Sequence, residues 1–249
     1  MKPLELNCLT CYHVFKPLAR IKSLLTLLFL DDVIRNRYSR FRYWRLKKTL
    51  RHCTGFEGSR NVIYNASFNP EAFGCGGRMS ALLYPLRGFI HPNQKDYKVL
   101  IIGPRTEDDI FHAFGLGFIN CRGLDLFSYS PFVETGSVCA IPFPENSLDS
   151  IILGWVLPYL DDIRQALKEI NRVVRPNGIV GIAWECRQSE STKSGFDFSD
   201  DESQIYQYTK CEVEDLVVEA DGKTFCTFHS DASTSPNELY RQILFYRVG

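Results

Sequence analysis

The sequence predicts an α/β protein, a doubly wound and mostly parallel sheet with an antiparallel closing strand, preceded by a helical N-terminal extension. Three observations predict it. From Lys98 onward, short β-rich runs alternate with stretches of helical periodicity, as in a parallel sheet with crossover helices. The first of these runs, Val99–Ile102, is continuously apolar, as expected of a strand buried on both faces. The first 95 residues lack that alternation, being basic at first and rich in Gly, Pro and Asn afterwards. The chain therefore divides into an extension over residues 1–95 and a sheet domain over 96–249.

A length of 249 residues suits one such domain with an extension. With 45% hydrophobic and 23% charged residues, the chain can bury a sizeable core. Its 29 basic residues balance 29 acidic ones, so no global field favours nucleic acid as a partner. Nine cysteines, an odd number without regular spacing, read as reduced thiols in a cytoplasmic setting. Cys8 and Cys11 form a CxxC that no second pair completes, so no metal site is expected. The apolar run Leu24–Leu30 is closed by Asp31 and Asp32 and is too short to span a bilayer, which reads as a soluble chain.

Taken in order, residues 1–60 read as helical. From Val33 to Phe56 there are eight Lys or Arg and no acid, with Tyr38, Phe41, Tyr43, Trp44, Leu46 and Leu50 interleaved. The plain reading is a solvated helix packed on the sheet through Phe41, Trp44 and Leu50. The functional alternatives are a lid, or peripheral membrane contact through the basic residues of 35–51. Residues 61–95, with Gly74, Gly76, Gly77, Pro85 and Pro92, read as loops with short elements. Val99–Ile102 is the first buried strand, ended by Gly103, and Asp109–Phe118 is a helix. Gly123–Leu126 and Ser150–Leu153 are further strands. Leu160–Val174 is a helix on the spacing of Ile163, Ala166, Leu167, Ile170 and Val173, stopped by Pro176-Asn177-Gly178. Ile179–Trp184 is a strand, 187–210 a polar loop, Glu212–Ala220 a helix, and Lys223–His229 and Gln242–Val248 the closing strands.

A strand that ends in glycine and feeds a helix puts free N–H groups at the mouth of the sheet, where open parallel sheets take nucleosides. Gly103 is at that turn, and Asp125 follows twenty-two residues later at the end of the next strand. A carboxylate there can accept both hydroxyls of a ribose. More specific are Pro142-Phe143, Glu145-Asn146-Ser147, Leu148-Asp149, Glu169-Ile170-Asn171-Arg172-Val173 and Arg175-Pro176-Asn177-Gly178. In that order and spacing they resemble the class I S-adenosylmethionine (SAM)-dependent methyltransferases, especially the methyltransferase type 11 group. The resemblance runs from Lys98 to the end and is most specific up to Glu185. It implies a Rossmann-like fold, SAM as cofactor, and O- or N-methylation of a small-molecule or glycan acceptor.

The resemblance also implies roles. Gly103, Pro104, Arg105 and Glu107 form the loop under the methionine part of SAM. Asp125 holds the ribose, Leu126 flanks the adenine, and Ser137, Val138 and Cys139 approach its edge. Gly154 and Trp155 line the reactive side. Tyr159 and Glu185 are the candidates for catalytic acid–base work, whereas Asp149 reads as structural. The first loop departs from the family pattern: Ile102 stands where an acid usually precedes the glycine, and Pro104-Arg105-Thr106-Glu107 replaces two further glycines. Glu107 can meet the methionine ammonium and Arg105 its carboxylate, or each is simply a residue of the first helical turn. Two other readings stay open beside methyl transfer. One is a SAM enzyme of different chemistry, such as intramolecular cyclisation or cleavage of SAM; the other is an inactive binding module. Removal of residues 1–55 is expected to leave a folded core.

Overall fold

A computed structural model describes residues 28–55, 77–90, 96–104, 106–160, 162–187, 210–229 and 239–249. The Cys8–Cys11 pair, Arg105 and the polar stretch 188–209 lie outside them. In chain order the elements are α1 (Asp32–Leu46), β1 (Arg51–His52), α2 (Gly77–Phe89), β2 (Lys98–Ile102) and α3 (Glu107–Gly115). Then come β3 (Asn120–Asp125), β4 (Phe127–Ser128), β5 (Val133–Thr135), β6 (Leu148–Gly154) and α4 (Ile163–Val173). The chain finishes with β7 (Val174–Arg187), α5 (Lys210–Glu219), β8 (Gly222–His229) and β9 (Leu239–Val248). Seven strands form one sheet in the order β5-β3-β2-β6-β7-β9-β8. The pairs from β5 to β7 are parallel, and β9 runs antiparallel between β7 and β8. This is the expected doubly wound sheet with its antiparallel closing strand.

Successive side chains of a strand point to opposite faces, and here both faces are covered. Leu100, Ile102, Ile151, Leu153, Val180 and Ile182 belong to one core layer, under Ala166, Leu167 and Ile170 of α4 and Val213 and Val217 of α5. Val99, Ile101, Ile152, Ile179 and Ala183 belong to the other, under Leu82, Leu83 and Leu86 of α2 and Ile110 and Ala113 of α3. Unbroken apolar strand sequence is the consequence. α4 starts at Asp162, whose side chain accepts from the Gln165 N–H at 2.9 Å. It passes directly into β7. Pro176-Asn177-Gly178 therefore does not separate a helix from a strand; it is a bulge, because β6 pairs Leu148 with Val174 but Ser150 with Ile179.

Region 61–95, expected as loops with short elements, contains the thirteen-residue helix α2, with Pro85 inside it. A proline there costs about 3 kcal/mol. Met79, Leu82, Leu83, Leu86 and Ile90 recur at helical spacing and are all buried. At roughly 1.5–3 kcal/mol per large apolar side chain, that face outweighs the proline.

α1 also differs from expectation. Phe41 and Trp44 are 50% and 67% exposed, while Arg35 and Ser39 are buried. The helix packs through its polar side because the surface it meets carries the buried acids Glu107 and Asp108. Beyond it, β1 pairs with β4, and the Cys53 N–H donates to the Leu126 carbonyl at 2.7 Å. Residues 28–55 and α2 thus share their packing with the sheet.

Candidate functional site

Parallel strands bring their C-terminal ends to one edge. The register sets Ile102 opposite Leu124 on one side and Leu153 on the other. The next residues along, Asp125, Gly103 and Gly154, therefore stand side by side. Gly103 has φ +68, and a Cβ there would lie 2.7 Å from Val156 Cγ2, so the turn admits no side chain. Its N–H donates to the Leu124 carbonyl at 2.9 Å. The half-exposed Asp125 accepts the Gly136 N–H on its carbonyl at 2.9 Å. Leu126 beside it is half-buried. Pro104, where the family pattern has glycine, is buried and fits because β3 has a glycine instead. A Cβ on Gly123 would lie 2.5 Å from Pro104 Cγ and 2.9 Å from Val133 Cγ2.

The loop acid is held from outside the sheet domain. Glu107 has no solvent exposure. Its Oε2 accepts from Arg42 Nε at 2.6 Å, and its Oε1 from Arg42 Nη2 at 2.9 Å and from Ser130 Oγ at 2.6 Å. Burial pulls the Arg42 guanidinium down, but the hydrogen bonds and charge of Glu107 hold it above its ordinary value. The same guanidinium lies 5.9 Å from the Phe111 ring centroid and 5.5 Å from that of Phe132. The Glu107 N–H donates to the Tyr129 hydroxyl at 3.3 Å, and the Asp108 N–H to Thr106 Oγ1 at 3.2 Å. One residue on, Arg35 Nε stands 3.2 Å from Asp108 Oδ1. Glu107, expected at the methionine ammonium, thus has both oxygens taken by Arg42 and Ser130. The sequence gives no hint of that pairing, which joins residues 65 apart.

Further along, Ser137 accepts the Cys139 N–H at 3.2 Å and caps the short 3₁₀ turn Val138–Ala140. Val138 is buried in the core. The Cys139 carbonyl accepts from Gln165 Nε2 at 3.1 Å. The Glu169-Ile170-Asn171-Arg172 motif fastens this segment to α4. Glu169 accepts the Ile141 N–H at 3.0 Å, and Arg172 bonds both oxygens of Glu169 at 2.8 Å. Arg172 also donates to the carbonyls of Phe143 at 3.0 Å and Ile141 at 2.9 Å. The Arg172 hydrogen bonds hold the Glu169 carboxyl below its usual range. Asp149 is structural in its contacts, accepting the Lys98 N–H at 2.6 Å and pairing with Arg175 at 2.7 Å.

At the end of β6 a Cβ on Gly154 would lie 2.9 Å from Met79 Cε, so α2 covers this residue. Trp155 adopts the left-handed φ of 59, a conformation bulky residues rarely hold without an over-determining surround. Here its N–H donates to the Ala183 carbonyl at 2.7 Å, and its buried ring lies 5.8 Å from the Arg241 guanidinium. Tyr159, in the 3₁₀ turn Leu157–Tyr159, is 46% exposed. Glu185 lies near the C-terminal end of β7, in register with Arg241 of β9.

Residues 122–182 match the family described as Methyltransferase domain. A stretch of 55 residues is 40% identical to the demethylmenaquinone methyltransferase of Lysinibacillus sphaericus (strain C3-41), covering 22% of this chain and 23% of that protein. The chain thus spans less than a quarter of the length of that curated relative. Among solved structures, the cyclase SpnF superposes with a TM-score of 0.55 at 14% identity, over 68% of this chain and 81% of that one. Geranyl diphosphate methyltransferase in complex with SAM superposes with a TM-score of 0.53 at 12% identity, over 68% of this chain and 85% of that one. At such identities it is the fold that is shared.

Proposed function

We propose that this chain, a member of the class I SAM-dependent methyltransferase superfamily, binds SAM at the row Asp125–Gly103–Gly154 and transfers its methyl group to a small-molecule acceptor. The observation that carries the reading is that row: a half-exposed carboxylate beside a glycine turn at one edge of parallel strands, with Asp125 and Gly154 inside the methyltransferase-domain match.

The residues fit the nucleoside half of SAM. Asp125 accepts the ribose hydroxyls, Leu126 lies against the adenine, and the backbone of Ser137, Val138 and Cys139 meets its edge. The α4 clamp keeps that backbone in place. The methionine half is met differently from the family pattern, since the carboxylate of Glu107 and the N–H groups of Glu107 and Asp108 are already bonded. Arg105 is left to pair with the methionine carboxylate. Bound SAM supplies a methyl group already activated on a sulfonium, so placement and exclusion of water are the protein's main tasks. Gly154, under Met79, and Trp155 form the wall on the acceptor side. Tyr159 and Glu185 are the candidates to take a proton from an acceptor that carries one.

A small molecule is preferred to a glycan as acceptor because one relative, matched over 55 residues, is a demethylmenaquinone methyltransferase. A second reading keeps SAM but not methyl transfer. It rests on the altered loop, where Pro104-Arg105-Thr106-Glu107 stands in place of the family's glycines. Mass analysis of the full chain incubated with SAM and an extract of lipophilic small molecules separates the two. Methyl transfer yields demethylated SAM in step with a methylated acceptor. SAM consumed into a cyclised or cleaved product overturns methyl transfer and supports the second reading.

A further inference from the structure

The outer face of α1 is not used by the site. At about 100° per residue, Val33, Trp44, Phe41 and Ile34 fall within an arc of roughly 100° on the side opposite the buried Arg35 and Ser39. They are 58%, 67%, 50% and 42% exposed. Arg37 lies inside the arc, with Arg40 on one flank and Arg45 on the other; all three are exposed, as are Lys47 and Lys48 just beyond the helix. Arg45 covers the Phe41 ring, 5.8 Å from its centroid. The acids of the helix start are engaged elsewhere, Asp31 as the cap of Ile34 and Asp32 with Arg35.

Four large apolar side chains held in water and rimmed by cations match the chemistry of an interfacial helix. We propose that this face docks the protein on an anionic lipid bilayer, with Trp44 and Phe41 entering the headgroup region and Arg37, Arg40 and Arg45 meeting lipid phosphates. A second copy of the chain is the poorer occupant, since a symmetric contact sets like charges against each other. A nucleic acid is poorer too, because the centre of the face is apolar and not polar. No described helix is long and apolar enough to cross a membrane, and the contact proposed for α1 lies at the headgroup level. The proposal does not depend on which reaction the pocket performs.

Vesicle co-sedimentation of the full chain tests it, with phosphatidylcholine alone against phosphatidylcholine mixed with phosphatidylglycerol. Binding is expected to the mixed vesicles and to weaken with salt. Arg37→Gln and Arg40→Gln should each lower partitioning by about fivefold, and Phe41→Ser with Trp44→Ser by at least about tenfold. Trp155 and Trp184 are buried at 6% and 1% exposure, so a blue shift of tryptophan emission on binding reports Trp44. Trp44→Phe should keep the binding and lose the shift. The melting temperature of each variant shows that it is folded. No sedimentation with mixed vesicles overturns the proposal. So does dimerisation abolished by the Phe41→Ser, Trp44→Ser variant, or oligonucleotide binding that survives it together with absent vesicle binding.

Discussion

Replacing Arg42 with alanine removes the partner of a carboxylate that has no access to solvent. Glu107 then keeps the Ser130 hydroxyl and loses two charge-assisted hydrogen bonds of 2.6 and 2.9 Å. Breaking one side of a buried pair costs about 3–5 kcal/mol. The lower end applies here, because the Arg42 side chain is 19% exposed and its removal lets water approach the acid. In a chain of this size each kcal/mol moves the midpoint by about 2–4 °C. A loss of about 3 kcal/mol should therefore lower the melting temperature by roughly 6–12 °C. Glu107→Gln should cost less, about 1–2 kcal/mol, since the amide still accepts and Arg42 can reach water. Arg42→Met combined with Glu107→Leu removes both charges at similar volume and should fall within about 1 kcal/mol of the parent. Urea unfolding of the parent, Arg42→Met, Glu107→Leu and the double variant gives the coupling energy. A double variant whose loss equals the sum of the singles would refute the buried pair as the tie between α1 and the loop.

Gly103→Ala should lower stability by about 1–3 kcal/mol, read by thermal melting, because its φ is +68 and the new methyl meets Val156. Burial, and then the Arg35 charge, hold the His112 imidazole down to about 4. The unfolded chain therefore takes up that proton first, and the contribution of His112 is complete above about pH 6.5 and is lost as pH falls toward 4, at no more than about 1.4 kcal/mol per pH unit. Stability measured between about pH 6.5 and 5 should show that slope, and His112→Asn should flatten it. Removal of residues 1–55 takes away Arg35, Arg42 and the β1 strand together. The shortened chain should melt well below the full chain, which differs from the folded core expected of a separable lid.

The sheet could be read from sequence because its signals are local. Val99–Ile102, Ser150–Leu153 and Ile179–Trp184 are apolar on both faces, and α4 repeats its apolar residues at helical spacing. α2 was hidden by Pro85 and its glycines, since tertiary burial and not propensity decides it. The direction α1 faces was also hidden. An arginine that pairs with a buried acid looks, in sequence, like any solvated arginine, and the exposed Trp44 looks like a core residue. In the site, Gly103 and Asp125 were legible as a strand end and the acid following it. The contacts that hold Glu107 come from Arg42, Tyr129 and Ser130, which the fold brings together and spacing does not.

Calorimetric titration of the full chain with SAM tests the central claim most directly. Saturable binding is predicted, weakened at least about tenfold by Asp125→Ala through loss of the carboxylate–diol hydrogen bonds. A folded chain that gives no heat at millimolar SAM, or an Asp125→Ala variant of unchanged affinity, contradicts it.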